Sequence, residues 1–120
     1  MLLRQPPSGP IVRLPSFAEE VANLNVLGVA SIDWSLSPAQ VLGITANCNV
    51  SSLNLPPGPT WLQLRVVQGP GGGFTPTFVG AKTPGGTPLA LSAAPGSIDI
   101  LSLFSNGTDL FVSVAGLAYS

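Results

Sequence analysis

Trp61-Leu62-Gln63-Leu64-Arg65-Val66-Val67-Gln68, followed at once by Gly69-Pro70-Gly71-Gly72-Gly73, is the stretch that decides the fold class. Leu62, Leu64 and Val66 recur at every second position, with Gln63 and Arg65 between them. That period of two places apolar groups on one face and polar groups on the other, as a half-buried β-strand requires. The run of glycines and a proline then ends the strand, because regular structure does not keep such a run.

The same reading extends in both directions. Strand patterns occupy residues 30–35, 41–45 and 48–53 before this stretch, and 74–80, 88–92, 97–104 and 110–117 after it. Pro76 pushes its segment toward a sheet edge, since proline donates no ladder hydrogen bond. Asn106-Gly107 supplies the positive φ angles of a tight reversal, so the last two segments predict a hairpin. About eight short strands separated by frequent turn signals predict an all-β domain, a jelly-roll-like β-sandwich over residues 29–120. Leu62, Leu64, Val66, Ile98, Ile100, Val112 and Val114 are its expected core.

Residues 1–28 read differently, as an extended N-terminal arm with one short helix. Pro6, Pro7 and Pro10 favour a polyproline-like path, and Arg4 and Arg13 are two of only four cations in the chain. Ser16 and Glu19 match a capping box, and Phe17, Val21 and Leu24 then form one apolar helical stripe. A helix of two turns needs a docking surface to persist. Arg4, Arg13, Phe17, Val21 and Leu24 are therefore the expected partner-binding residues.

A chain of 120 residues with 45% hydrophobic positions buries one ordinary core without disulfides or metals. Charged residues make up 8%, against about 25% in an average globular protein, and the net charge is −1. Such a surface is composed of small polar and apolar groups, which predicts that partners cover part of it. Cys48 is the single cysteine and reads as a small apolar residue. Neither a signal-peptide core nor a membrane-length apolar window is present, so the product is expected to be made in the cytoplasm and to have no membrane partner.

Catalytic chemistry has little to work with. The chain contains no histidine, which removes the usual general base, the familiar triads and histidine metal sites. Glu19 and Glu20 diverge on the expected helix, and Asp33 and Asp99 fall singly in strands, where such an acid is exposed or bonded to a loop. The run from Gly69 to Gly73 lacks the Gly-Lys-Ser/Thr ending of a phosphate loop. Four cations do not make a basic stripe, and Trp34, Trp61, Phe78, Phe104, Phe111 and Tyr119 lie in strand patterns that suggest core packing, so no nucleic acid is expected. The expectation is a non-enzyme without metal or other cofactor.

Leu64-Arg65-Val66-Val67-Gln68 with its glycine turn, Thr77-Phe78-Val79, the turn Lys82-Thr83-Pro84-Gly85-Gly86-Thr87-Pro88, Ser97-Ile98-Asp99-Ile100-Leu101 and Asn106-Gly107-Thr108 together resemble a module of tailed-bacteriophage virion proteins. Ile32-Asp33-Trp34-Ser35 and Thr45-Ala46-Asn47 look like that module's earlier strands. The resemblance implies a virion structural protein. With a short arm and no coiled-coil shaft, it implies a capsid cement or decoration protein rather than a fibre. Its expected partners are the major capsid protein and further copies of itself, as a dimer or trimer on the capsid surface, assembled in the host cytoplasm. The alternative is a tail- or head-fibre module that stacks a sugar on Trp34 or Trp61.

Overall fold

The computed structural model describes residues 21–25 and 28–120. It contains β1 (Val21–Leu24), β2 (Val29–Asp33), β3 (Ala39–Ile44), β4 (Cys48–Leu53), β5 (Thr60–Gln68), β6 (Pro76–Phe78), β7 (Ile98–Ser105) and β8 (Leu110–Tyr119). These form a five-stranded sheet in the order β1-β3-β5-β7-β8 and a three-stranded sheet in the order β2-β4-β6. An all-β domain of two sheets is therefore what the sequence folds into.

The connectivity is that of a winding. Odd strands up to β5 enter the larger sheet and even strands up to β6 the smaller one, and successive strands within each sheet pair in parallel. Only β7 and β8 run antiparallel, closing the larger sheet as a hairpin. A jelly roll is built of antiparallel Greek keys. That order does not occur among the described residues, whose three stacked turns resemble a short solenoid instead.

Alternation then fills the space between the sheets. Leu42, Ile44, Leu62, Leu64, Val66, Leu101, Leu103 and Val112 from the larger sheet meet Ala30, Ile32, Cys48 and Val50 from the smaller one, all buried. Burial also pushes the Cys48 thiol above its ordinary pKa by desolvation. Trp34, just beyond β2, is buried and donates from Nε1 to Ser52 Oγ at 3.1 Å.

Polar groups trapped between the layers are satisfied by the turns they hold. Gln40, fully buried on β3, donates from Nε2 to the carbonyls of Asp33 at 2.7 Å and Ser37 at 3.0 Å, and accepts from Asn23 at 3.0 Å. Gln68 at the end of β5 donates to the carbonyls of Phe74 at 2.6 Å and Ser92 at 3.1 Å and accepts from the Phe74 amide at 3.2 Å. Such groups are costly unless paired.

Three expectations need correction. Val21 and Leu24 are in a strand, not a helix: parallel pairing with β3 supplies the backbone partners that a lone two-turn helix would lack. Arg4, Arg13, Ser16, Phe17 and Glu19 lie outside the described residues. Residues 88–92 form no strand; Gln68 and Asp99 hold Ser92 there through its carbonyl and amide. In β7 the inward set is Asp99, Leu101, Leu103 and Ser105, so Ile98 and Ile100 face away from the core.

The cause of that last reversal is Asp99. Its carboxylate is buried and accepts from the Ser92 amide at 2.6 Å and the Ala118 amide at 2.8 Å, tying β7 to a loop and to the end of β8. The β7–β8 register is irregular at this point. Pro76 does occupy a sheet edge, and the 105–109 reversal is a hairpin in which Asn106 Oδ1 accepts from Thr108 and Asp109. Gly107 has φ of 94° there, and a Cβ would stand 2.5 Å from the Pro57 carbonyl oxygen, so only glycine fits.

Two outcomes follow from this packing. Leu101→Ala should cost about 2 to 5 kcal/mol by urea unfolding, with Ile100→Ala costing markedly less; equal losses would mean that β7 has the other register. Asp33 Oδ1 accepts from the Ser35 hydroxyl at 2.6 Å, from Asn54 at 2.9 Å and from the Ser35 amide at 3.0 Å, and these bonds hold its carboxyl below the ordinary value of 3.8. A depressed folded pKa stabilises above the unfolded value, and that stabilisation is lost as pH falls through the folded one. Acid should therefore lower the melting temperature of the native chain more than that of Asp33→Asn, when both are scanned from about pH 5 downward.

Candidate docking face

The two outer faces of the sandwich differ in chemistry. On the smaller sheet, Ser31 pairs with Ser51, Asn49 with Thr77 and Asp33 with Leu53, so the outer surface mixes hydroxyl, amide and carboxylate groups with the exposed Val29 and Leu53 and carries no aromatic ring. On the larger sheet, the outward positions are Ala22 and Leu24 on β1, Ala39 and Val41 on β3, and Trp61, Gln63, Arg65 and Val67 on β5. Ile98, Ile100, Ser102 and Phe104 on β7 continue the face. Phe111, Ser113, Ala115 and Leu117 of β8 are exposed beside them. Arg65 is the one charged side chain among these positions.

Its most prominent feature is a row of rings across three adjacent strands. Trp61 on β5 is level with Phe104 on β7, which is level with Phe111 on β8. The ring centroids are 4.9 Å apart for Trp61 and Phe104 and 6.3 Å for Phe104 and Phe111, and both pairs are tilted. Trp61 remains 69% exposed and Phe111 40%. These rings are thus not core residues, contrary to the sequence expectation for Trp61, Phe111 and the half-exposed Tyr119.

Grooves flank the row on both sides of Trp61. One of about 520 Å³ runs along Pro38, Ala39, Gln63, Ile100, Ser102 and Ala115. Another of about 250 Å³ is bounded by Lys82, Thr83, Pro84, Ser102 and Ser113 together with the three rings. No carboxylate lines either groove. The surroundings are hydroxyl, amide and apolar, with Lys82 at one end, so they suit an uncharged surface.

Of the partner-binding residues expected from sequence, the structure places Val21 half-buried on β1 and Leu24 70% exposed at the end of that strand. Neither joins the ring row. Trp34 is removed from consideration as a stacking residue by its burial, whereas Trp61 is accessible. The row was missed because each ring comes from a different strand, and the period-two pattern of a single strand does not say which of its faces is covered. A signal was present in Trp61 itself, which falls on the polar side of the alternation with Gln63 and Arg65. Among the described residues no cluster of three acidic, cysteine or histidine side chains forms a metal site.

No protein-family model, curated protein or solved structure matches this chain.

The two tryptophans should separate cleanly in stability measurements. Trp34→Ala removes a buried ring and should cost about 3 to 5 kcal/mol. Trp61→Ala loses little more than a ring pair and should cost at most about 1.5 kcal/mol. Chemical denaturation of both variants checks the assignment; a large loss for Trp61→Ala would mean that this face is structural.

Proposed function

We propose that this chain is a structural subunit of a tailed-bacteriophage virion, a capsid cement or decoration protein that docks on the major capsid shell by the outer face of its five-stranded sheet. The observation that carries the docking part is the aromatic row itself: Trp61, Phe104 and Phe111 lie side by side on the outer face of the larger sheet, whereas the outer face of the smaller sheet is a mixture of polar groups and single aliphatic side chains. The virion setting rests on the sequence resemblance. A composition with 8% charged residues supports a life spent largely covered by partners.

The work of such a protein is mechanical. Seating the rings against shell subunits removes apolar area from water at about 25 cal/mol per Å², and association costs offset much of that gain. Binding at symmetric junctions makes dimers or trimers of the chain natural partners. A fibre module that stacks a sugar is the second reading, favoured by Trp61, which stands accessible beside Gln63 and Ser102.

Co-sedimentation with empty heads built from the cognate major capsid protein tests the proposal. Binding should saturate at hundreds of copies per head, and its affinity should change little with salt because the face is nearly uncharged. Trp61→Ser should weaken it at least about tenfold, equivalent to about 1.4 kcal/mol. No binding to empty heads, with a few copies confined to the tail in images of the intact particle, would favour the fibre reading. No association with the particle would overturn both.

A further inference from the structure

The aromatic row is an apolar surface with grooves beside it, and the chain itself contains a segment of matching chemistry. We infer that the proline-rich stretch of residues 5–15 docks across Trp61, Phe104 and Phe111 of its own molecule. This rests on the docking face described above and deepens that reading by naming what covers the face before a shell does.

The first argument is chemical. Aromatic-lined grooves are a general receptor for proline-rich segments, because the flat pyrrolidine ring packs on an aromatic face and proline has little backbone entropy left to lose. Residues 5–15 carry Pro6, Pro7, Pro10 and Pro15, with Ile11, Val12 and Leu14 between the last two. The grooves beside Trp61 have the corresponding character: apolar walls, the hydroxyls of Ser102 and Ser113, and the amide of Gln63.

The second argument is positional. β1, β3 and β5 are parallel, with Val21 level with Gln40 and Gln40 level with Leu64. Trp61 lies three residues before Leu64 in β5, so β1 runs away from the end of the sheet that carries the ring row, and Val21 is its residue nearest that end. Two strand spacings separate β1 from β5, roughly 10 Å. The residues between Pro15 and Val21 span up to about 20 Å when extended, enough to deliver the stretch to Trp61. Tethering at this range gives an effective concentration in the millimolar range, so weak ring packing is sufficient.

Fluorescence of the full chain tests the inference without any shell, so its outcome is independent of whether the protein binds capsids. Trp34 is buried, and subtracting the emission of Trp61→Phe from that of the native chain isolates Trp61. In the structure this indole is 69% exposed. With the stretch seated, acrylamide should quench Trp61 several-fold more slowly than free indole, at every protein concentration. A full-length variant with Pro6, Pro7, Pro10 and Pro15 all replaced by serine should raise the quenching rate of Trp61 several-fold over the native chain, with an unchanged far-ultraviolet circular-dichroism spectrum. A synthetic peptide of residues 5–15 added to that variant should reverse the change. Equal quenching rates for Trp61 in the native chain and in the proline variant would overturn the inference. So would protection that disappears on dilution, which would assign the face to a second copy, or protection that survives the proline replacements.

Discussion

Parallel pairing of β3 against β5 is the constraint on which the rest of this structure depends. Parallel neighbours cannot be joined by a hairpin, so the chain must leave the sheet and return. Here the return path is itself a strand, β4, which pairs in parallel with β2 and β6 and so builds the second sheet. The core is the space that this winding encloses, and Leu42, Leu64 and Val50 fill it because their alternation faces inward from both layers. Each turn of the winding also buries backbone carbonyls at its corners. Gln40 and Gln68 meet that need with side-chain amides, which explains why two glutamines are buried beside a mainly aliphatic core.

The winding ends where antiparallel structure takes over. β7 and β8 close the larger sheet without adding to the smaller one, so the larger sheet is wider by two strands. Those two strands carry Phe104 and Phe111, and they extend the outer face beyond Trp61 on β5. The aromatic face is thus a product of the mismatch between the sheets: the same hairpin that completes the fold completes the row of rings. Asp99 has a comparable double effect. By bonding the Ser92 and Ala118 amides it anchors a strandless loop and the end of β8, and it turns Ile98 and Ile100 outward onto the face that Trp61 shares.

Charge is nearly absent from this surface, and the consequence is physical rather than compositional. An interaction there gains little from electrostatic steering and is not screened by salt; it depends on apolar burial and shape. The outer face of the smaller sheet differs in kind: Ser31, Ser51, Asn49 and Thr77 alternate there with single aliphatic side chains such as Val29 and Leu53, and no ring row forms.

The sequence by itself determined the β class, the strands of residues 48–53 and 61–68, the edge position of Pro76 and the Asn106-Gly107 hairpin. Each of these depends on local chemistry: side-chain period, the missing proline donor, the positive φ of glycine. Leu62, Leu64, Val66 and Val112 were legible as core for the same reason. Only the tertiary structure decided that the strands pair in parallel, because period two is identical in parallel and antiparallel sheets. It also decided that Val21 and Leu24 are a strand, since the hydrogen bonds that settle the matter come from β3, far along the chain. The inward face of β7 was likewise beyond local reading: Asp99 looks like a surface acid until the Ser92 and Ala118 amides are brought to it. The aromatic row was legible only in part, at Trp61, because adjacency of three rings from three strands exists only once the strands are in register.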